Sequence, residues 1–550
     1  MKLNRITASL LPTLLAISAV PMLAKAQSYE VVELPTSDLS TNQYASSIDE
    51  TGLILNIVEE RFNQPIDLSL INLDSLTLSD PDAAAQGNFN GTDLSAITAA
   101  LYTSTQSNSA FNQKLAQYVA YKTDGVSTEY INGFDTETDA TNGFTYSLDT
   151  ELGDSYNGTY IVGSMTGAFT QIPYINESGD ELIYVVNDVK NRAFVQVDDY
   201  VAPLLPVDAT LGGISEASAI NSNLQVAGYS SVAVSDSVTS AIANCDDPDT
   251  RGDIPLEVCY YTIINEFESS LTRHATVWQL DTAGNTISTQ SYGLTFEPDN
   301  DVDIIFSSVA TDINNEGQAV GSTPVPIEST YTQAAAIFQN GQTQRLLADD
   351  DLLPNAAVAI NDDGLVAGYN TVVINSATRF KFFVYNINTD ELIFPDDFFT
   401  SSTSIPRAIN NNGLVVGDAE SDADTRRRNA FLYDVNANTF TNINTLIACD
   451  SDYEIMTAND INDNNEIVGE ALVQKPFRNA KGEIVTDSNG EEVLVDTVIA
   501  VKLSPTGGSP VECELSDVEI ADSTRQGASL GFFGLVGLLV FGIARRLKYR

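Results

Sequence analysis

A ten-residue phrase recurs along the chain and limits its possible folds more than any other feature. One copy is Ala359–Gly368, and Ala408–Gly417 nearly repeats it. In each full copy the closing glycine falls eight residues after an isoleucine. Isoleucine and valine suit a pleated strand, and the Asn, Asp and Gly between them close a tight turn. The phrase therefore predicts strand, turn and strand. Three further copies span 219–228, 312–321 and 460–469.

The spacing of the copies predicts how they assemble. Apolar runs such as Phe382–Tyr385 and Ala430–Tyr433 follow several copies, so one unit holds about four short strands. The closing glycines of the last four copies lie 47, 49 and 52 residues apart, a period that suits a propeller blade. Because one blade cannot bury both faces, neighbours must stack into a ring. We expect an all-β, β-propeller-like array of about six to eight four-stranded blades. A sandwich of unrelated hairpins or a β-solenoid is the alternative.

Two weaker copies bring the count to about seven units. Ser47–Gly52 opens the series, although Asn56 stands in place of its closing glycine. Tyr160–Gly163 keeps only the end of the phrase.

Between these weaker copies, two sets of apolar residues have helical spacing. They predict a small helical insertion near 90–121, which packs on the core or, alternatively, covers a site. Asp93 is placed to cap the first helix. The two sets are Leu94, Ile97 and Leu101, and then Phe111, Leu115 and Val119.

The N-terminus has the three parts of a secretory signal peptide. Two basic residues precede the apolar run Ile6–Leu23, and Ala24 and Ala26 supply the small-x-small cleavage pattern. We therefore expect residues 1–26 to be removed and Gln27 to begin the mature chain. A retained N-terminal membrane helix is the alternative.

If the protein is exported, its four cysteines are expected to form disulfides, because exported compartments oxidise paired thiols. Cys245 and Cys259 lie in one inserted loop, and Cys449 and Cys513 flank the last unit. We predict these two disulfides. A cysteine–histidine metal site is not expected, since no C-x-x-C spacing occurs and His274 is the only histidine.

The chain is strongly acidic, with a formal charge of −49. Without its two ends, 19 basic residues face 75 acidic ones, a net charge of about −56. Nucleic acid is excluded as a partner, because phosphate binding needs clustered Lys and Arg. The charge favours either solubility in salty surroundings or calcium binding.

The C-terminal region changes composition in three steps. Residues 504–526 are rich in Gly, Pro, Ser and acids and read as a linker. Residues 527–544 are free of charge and just long enough to span a bilayer. The basic tail at 545–550 is expected to stay cytoplasmic, which places the repeat domain at 27–503 outside.

This tail resembles the GlyGly-type C-terminal sorting signal of exported bacterial proteins. The residues that carry the resemblance are Gly527, Ala528 and Ser529 before the apolar run, and Arg545 and Arg546 after it. This chain has Gly-Ala where the family prefers Gly-Gly. The resemblance implies removal of the tail by an intramembrane rhomboid-type protease, the rhombosortase, and release to the cell surface or medium.

The repeats are similar to HAF-type repeats, in which the phrase precedes an H-A-F-like strand. Arg192–Phe194 and Asn429–Phe431 keep the second half of that motif, and His274 keeps its histidine. Over its whole length the chain resembles an uncharacterised exported bacterial family of the domain-of-unknown-function 3466 type. The resemblance implies no activity.

One loop has oxygen ligands at calcium-site spacing. Asp460, Asn462 and Asn464 follow D-x-N-x-N. Asn465 stands where the helix–loop–helix calcium motif needs glycine, and Ala471 where it needs glutamate. A hairpin turn explains the same residues without metal, so both interpretations stay open. No other cofactor is predicted.

No residue set forms a catalytic signature. A Ser-His-Asp triad would have to use His274, and no G-x-S-x-G accompanies it. We therefore expect a non-enzymatic binding module in the cell envelope, anchored in the inner membrane by its C-terminal helix or released, with a glycan or protein ligand. The alternative is a secreted polysaccharide-active enzyme, a glycoside hydrolase or lyase, using acidic residues at the propeller mouth.

Overall fold

The repeat phrase forms the two innermost strands of each blade in a seven-bladed β-propeller. The computed structural model describes residues 27–103, 110–140, 143–187, 189–266, 270–298, 304–328 and 330–508. The predicted propeller is confirmed, with seven four-stranded blades, and the sandwich and solenoid alternatives are excluded.

The strands are numbered in chain order. They are β1 (Tyr29–Glu33), β2 (Gln43–Ile48), β3 (Ile54–Glu59), β4 (Tyr118–Thr123), β5 (Thr128–Tyr130), β6 (Glu137–Thr138), β7 (Gly143–Phe144), β8 (Thr150–Tyr156), β9 (Tyr160–Met165), β10 (Phe169–Ile175), β11 (Glu181–Asn187), β12 (Arg192–Val197), β13 (Tyr200–Leu204), β14 (Ser215–Ile220), β15 (Gln225–Val234), β16 (Leu271–Leu280), β17 (Thr286–Ser291), β18 (Val309–Ile313), β19 (Ala319–Ile327), β20 (Thr330–Gln339), β21 (Gln342–Arg345), β22 (Asn355–Ile360), β23 (Leu365–Ile374), β24 (Ala377–Asn386), β25 (Glu391–Ile393), β26 (Ser404–Ile409), β27 (Leu414–Glu420), β28 (Arg428–Asp434), β29 (Thr439–Asn442), β30 (Glu454–Ile461), β31 (Ile467–Pro476) and β32 (Leu494–Pro505). The α-helices are α1 (Pro81–Ala84), α2 (Gly91–Thr103), α3 (Asp236–Asp246), α4 (Pro248–Arg251) and α5 (Leu256–Glu266).

Blades 1 to 6 take their strands in chain order, and blade 7 joins the two ends of the domain. Its sheet order is β30-β31-β32-β1, so the first strand of the chain forms the outer edge of the last blade. The innermost strands of blades 1 to 7 are β2, β8, β14, β18, β22, β26 and β30. Apolar side chains fill the spaces between adjacent blades. Between blades 4 and 5, for example, Val320, Ile337 and Phe383 are buried in one cluster.

A β-bulge interrupts the pairing of the two inner strands in every blade. In blade 3 it lies at Ser218, and the strands resume pairing at Ala219. The closing glycine faces this bulge. A Cβ on Gly228 would overlap the carbonyl oxygen of Glu216, and the closing glycines of five other blades meet an inner-strand carbonyl in the same way. Blade 1 departs from this pattern, with a buried Asn56. The glycine of the phrase is therefore needed for close backbone approach.

The asparagine after the isoleucine links neighbouring blades. Asn361 is 3% exposed. Its Oδ1 accepts from Leu365 N (2.9 Å) within its own turn, and its Nδ2 donates to Asn410 O (3.0 Å) in the next blade. We call this series of contacts the Asn ladder. It runs from blade 3 through blade 7 to blade 1, with Nδ2 donors Asn221, Asn314, Asn361, Asn410 and Asn462 and final acceptor Asp49 O. Blade 2 has Tyr156 at this position.

Replacing Asn361 by alanine removes both contacts and leaves a buried N–H and a buried carbonyl without these partners. We expect the free energy of unfolding to fall by about 2 kcal/mol. Urea denaturation measures the change. Asn388→Ala is the matched control, because the side chain of the exposed Asn388 makes one hydrogen bond, to Asp363 O (2.9 Å). This substitution should lower the free energy of unfolding by less than about 1 kcal/mol. Equal losses in the two variants would contradict a special role for the ladder.

The two faces of the ring differ. Because successive strands are antiparallel, the turns between first and second strands all lie on one face, which we call the turn face. The connections between second and third strands lie on the other, the insertion face. Four consecutive blades (7, 1, 2 and 3) carry long insertions there, at 477–493, 60–117, 166–191 and 235–270.

The helical prediction near 90–121 is confirmed for its first half only. Leu94, Ile97 and Leu101 are buried on α2. Phe111 and Leu115 belong to no helix, and Val119 lies in β4, so the second predicted helix is wrong. Apolar residues four positions apart, as in this stretch, also fit a buried strand and the extended segment that leads into it. The cysteine-bearing loop of blade 3 is likewise helical, since it contains α3, α4 and α5.

Candidate functional site

A central channel opens on the turn face. It has a volume of about 560 Å³, and every blade contributes the end of its first strand and the start of the following turn. The β-bulges lie near this end of each first strand. Since a bulge re-aims a side chain, the residues at and just after it form the channel wall. The repeat phrase therefore builds the channel as well as the blades.

Six aspartates line this channel, and three of them stand just before the isoleucine of the phrase or its equivalent. Asp154, Asp312 and Asp460 hold this position in blades 2, 4 and 7, where the other blades have serine or alanine. Each carboxylate accepts a hydrogen bond from a backbone N–H of the next blade. The pairs are Asp154 Oδ2 with Ile220 N (3.2 Å), Asp312 Oδ2 with Ile360 N (2.7 Å) and Asp460 Oδ2 with Ile48 N (2.8 Å).

Burial dominates the electrostatics of these carboxyls. It raises the pKa of Asp312 to about 6 and the pKa of Asp460 to about 7, against the opposing effect of the backbone N–H donors. The pKa of Asp154 is also raised, first by burial and then by the negative charge of Asp460. Desolvation penalises the charged form of an acid, and nearby like charges add to that penalty. Ionising these three carboxyls therefore requires more free energy than ionising an aspartate in water.

The three residues that the sequence suggested for calcium binding are Asp460, Asn462 and Asn464. Their side chains make hydrogen bonds within the turn and to the neighbouring blade. Asp460 bonds to the backbone of blade 1 as described above. Asn462 Oδ1 accepts from Asn464 N (3.1 Å) and Glu466 N (3.0 Å) within the turn, and Asn464 Nδ2 donates to Glu50 O (3.4 Å). No group of three or more His, Cys, Asp or Glu able to hold a metal occurs among the described residues. Calcium binding in this loop stays a prediction.

A cleft on the insertion face lies between the insertions of blades 1 and 7, with a volume of about 1100 Å³. The two insertions bond directly, since Asn63 N donates to Ala480 O (2.8 Å). One face of α2, from Gly91 to Tyr102, forms one wall. Asn90 caps that helix by accepting from Asp93 N (2.9 Å), and Asp93 accepts in return from Asn90 Nδ2 (2.8 Å). Asp93 thus contributes to the cap from the first turn.

The lining of this cleft combines aromatic faces with hydrogen-bonding groups. Phe62, Tyr102 and Phe477 supply the aromatic rings, and the side chain of Phe477 is 42% exposed. Gln64 is 5% exposed and donates from Nε2 to Tyr102 OH (3.1 Å), while its Oε1 has no partner among the described residues. Arg478 Nη1 donates to Gly482 O (2.6 Å). Sequence reasoning missed this cleft, because its walls are about 400 residues apart in the chain.

Both ends of the described chain leave from the turn face. Tyr29 pairs with Pro505 at the end of β32. Beyond this pair, Ser28 N donates to Gly508 O (3.2 Å) and Thr506 N donates to Ser28 O (2.9 Å). The cleft on the insertion face therefore opens away from the place where the chain enters and leaves the propeller.

The disulfide prediction is confirmed for its first pair. Cys245 on α3 and Cys259 on α5 are bonded, with a Cα–Cα distance of 5.8 Å. No described cysteine is a free thiol. Cys513, the partner predicted for Cys449, lies outside the described residues.

The predicted processing residues also lie outside the described residues. They are Ala24, Ala26, Gly527, Ala528, Ser529, Arg545 and Arg546. Within the described ranges, no helix has the length and apolar character needed to cross a bilayer. The span predicted at 527–544 falls outside those ranges.

The architecture defines the class of protein, a seven-bladed β-propeller with a polar channel and one insertion-bearing face. The chain belongs to the family described as Protein of unknown function (DUF3466), whose profile matches residues 6–546. This confirms the resemblance to that family, while the HAF-type repeats and the GlyGly-type tail stay predictions. No curated protein matches the chain.

The solved structures to which the chain is similar at low identity include an acylaminoacyl peptidase and TolB. A Pyrococcus horikoshii acylaminoacyl peptidase shares 13% identity at a TM-score of 0.39, over 82% of this chain and 54% of the peptidase. TolB from Acinetobacter baumannii shares 9% identity at a TM-score of 0.28, over 64% of this chain and 65% of TolB. The chain thus spans about half the length of the peptidase. At these TM-scores neither likeness bears on function.

Proposed function

We propose that this protein is an exported, non-enzymatic binding protein that takes a glycan into the cleft between the insertions of blades 1 and 7. The observation that carries the proposal is the lining of that cleft. Aromatic rings beside amide, hydroxyl and guanidinium groups suit a sugar, whose C–H faces stack on the rings while its hydroxyls take the hydrogen bonds. A cleft of this size accommodates several sugar units.

The position of the chain ends supports a surface role. With a signal peptide at 1–26 and a membrane or sorting segment at 527–544, the turn face would lie toward the membrane. The insertion face would then point outward, where a glycan reaches it. The residues that follow β32 within the predicted linker at 504–526 would separate the propeller from the membrane. A rhomboid-type protease would release the propeller.

Phe477→Ala tests the site directly. Phe477 presents an exposed ring to the cleft, and the loss of such an anchor is expected to weaken glycan binding about tenfold or more. A glycan array with the purified full-length protein identifies the ligand, and calorimetry then compares the variants. Ile175→Ala is the control, since Ile175 is 65% exposed on the blade 2 insertion, and it should leave affinity unchanged.

Two results would count against this function. One is that no glycan on the array binds the wild-type protein. The other is that Phe477→Ala and Ile175→Ala bind alike. Binding of a peptide in place of a glycan would keep the cleft but change the ligand class.

A polysaccharide-active enzyme is the second candidate function, and the channel aspartates favour it. An acid whose pKa lies near neutrality can serve as a general acid, and two carboxyls on either side of a glycosidic bond can hydrolyse it. Asp312 and Asp460 have such pKa values. Release of reducing ends by the wild-type protein, and its loss in Asp312→Asn, would establish the enzyme in place of the binding protein.

A further inference from the structure

The outer strand of each blade is the edge of a sheet, and most of these edges carry a residue that discourages pairing. A charged side chain or a proline on an edge strand hinders the addition of another strand. Five of the seven outer strands have such residues, which are Glu129 in β5, Pro203 in β13, Arg345 in β21, Glu391 in β25, and Glu30 and Glu33 in β1. The outer strand β29 has neither but holds only four residues. The remaining outer strand is β17.

The strand β17 is an uncharged edge of six residues without proline. Its first five residues are all exposed, so both faces of the sheet are open at this edge. The position itself tolerates charge, because β5, β21 and β25 occupy it with charged residues. In a chain with a formal charge of −49, an uncharged edge is a place where two copies can approach without local repulsion.

The backbone of β17 presents hydrogen-bonding groups along this edge. Tyr292 N, just after the strand, donates inward to Ala275 O (2.9 Å) on β16. Because successive strand residues alternate in direction, Gln290 also turns its backbone groups inward, while Thr289 and Ser291 turn theirs outward. Ser291 O accepts from Gln290 Nε2 (2.6 Å), and this exposed side chain can turn away. A further strand can therefore pair with the edge.

Exposed apolar side chains lie beside the same edge. Tyr200 OH donates to Asn285 Oδ1 (3.0 Å) in the turn that precedes β17. Leu205 O accepts from Trp278 Nε1 (2.9 Å) on the neighbouring β16. Together with Ile287 of β17, the side chains of Tyr200 and Leu205 are between 49% and 66% exposed. Single exposed apolar residues are common, but a group of them beside an open sheet edge marks an interaction surface.

We propose that β17 pairs with the same strand of a second copy of this chain. The strands would run antiparallel about a two-fold axis that places Thr289 opposite Thr289 of the partner subunit. This pair would then exchange two reciprocal N–H···O bonds, and the two four-stranded blades would form one continuous sheet. A second copy fits this edge because a two-fold contact brings the same uncharged strand and the same apolar group from both sides.

Two consequences follow from this geometry. The pairing occupies the edge in both copies, so association stops at the dimer. Antiparallel pairing also turns one propeller over relative to the other. The insertion faces of the two copies therefore point in opposite directions, and both clefts stay open. The inference does not depend on the proposed glycan ligand.

Sedimentation velocity of the full-length protein, from about 1 to 100 μM in about 0.5 M NaCl, tests the pairing. The contact is small, so we expect a dimer with a Kd of about 10 μM. Thr289→Lys places like charges opposite each other across the two-fold axis and should weaken the dimer about tenfold or more. Because this substitution lowers the net negative charge, general repulsion between copies would not explain the loss.

Thr439→Lys is the matched control, since Thr439 is an exposed residue of β29, the other uncharged outer strand. It makes the same change in net charge and should leave the Kd within about twofold of the wild-type value. Both variants keep residues 527–544, so association through that apolar segment would be equal in all three proteins. Hydrogen exchange of the wild type is a second measurement. The amides of Thr289 and Ser291 should exchange more slowly at about 100 μM than at about 1 μM.

Four results would overturn the proposal. They are a monomer at every concentration, assemblies that grow beyond the dimer, equal effects of the two lysine substitutions, and exchange at Thr289 that does not depend on concentration. Since hydrogen exchange uses the unaltered protein, it decides the question even if Thr289→Lys folds poorly.

Discussion

The Gly228→Ala variant is expected to lose about 3 kcal/mol or more of its free energy of unfolding. The added methyl group would overlap the carbonyl oxygen of Glu216, and its next neighbours are the Glu216 carbonyl carbon and Ala217 Cα. All three are backbone atoms of the inner strand, so no side-chain rotation relieves the overlap. Relief requires moving the bulge that shapes the channel wall.

Urea denaturation of the wild type and the variant measures the loss. Gly293→Ala is the matched control, because a Cβ there meets nothing within 4 Å and its loss should stay within about 0.5 kcal/mol. If Gly228→Ala were as stable as Gly293→Ala, close approach would not be the reason for the glycine in the phrase.

The Asp460→Asn variant is expected to be more stable than the wild type at high pH and not at low pH. The pKa of Asp460 is raised from 3.8 to about 7 in the folded protein. The folded state therefore holds this proton more tightly than the unfolded state. The stability that the protonated group contributes is fully present below about pH 4 and is lost as the pH rises to about 7. Asparagine does not ionise and keeps one oxygen acceptor for the N–H of Ile48, while its amide nitrogen replaces the Oδ1 that accepts from Ile461 N (2.8 Å) in the wild type.

The expected gain at about pH 8 is about 2–4 kcal/mol. At about pH 4 the difference should be near zero. Denaturation across this range, with Asp74→Asn as control, separates this effect from a general reduction of negative charge. A pH-independent difference between Asp460→Asn and the wild type would refute the raised pKa.

The other acids that affect this comparison are identifiable. Asp312 and Glu50 act on Asp460 through their negative charge. The pKa of Glu470 is also raised to about 7, mainly by burial. Asp312, Glu50 and Glu470 titrate in both the wild type and the variant. The difference between their free energies of unfolding therefore reports the ionisation of Asp460 and its coupling to these acids. The pH slope of the wild type alone would not isolate one residue.

Local chemistry made the blades predictable. The alternation of β-branched residues with Asn, Asp and Gly predicts strand–turn–strand units at each copy of the phrase. Their even spacing predicts a ring, since a single four-stranded sheet leaves apolar surface exposed. The first helix of the blade 1 insertion was predictable for the same reason, because Leu94, Ile97 and Leu101 follow helical periodicity. The Cys245–Cys259 pair followed from proximity in the chain.

The prediction of a second helix was wrong because periodicity over a short stretch does not separate helix from strand. Val119 pairs in β4 beside β3, and this partner lies about 60 residues earlier in the chain. Pairing with a distant strand overrides a local pattern. The cysteine-bearing loop shows the opposite limit. Its helices pack through Val258 and Tyr261 against the β10–β11 hairpin of the blade 2 insertion, a contact that local sequence does not reveal.

The sequence by itself determined the repeating unit, its hairpin turns and the acidic character of the protein, since these depend on neighbouring residues and on composition. Only the tertiary structure decided that Asp154, Asp312 and Asp460 share one channel and that residues near 61 and 478 share one cleft. Closing the ring brings together positions that are hundreds of residues apart. An aspartate in place of alanine before the isoleucine was visible as a variation of the phrase. Its burial, and therefore its raised pKa, depends on the six other blades that surround it.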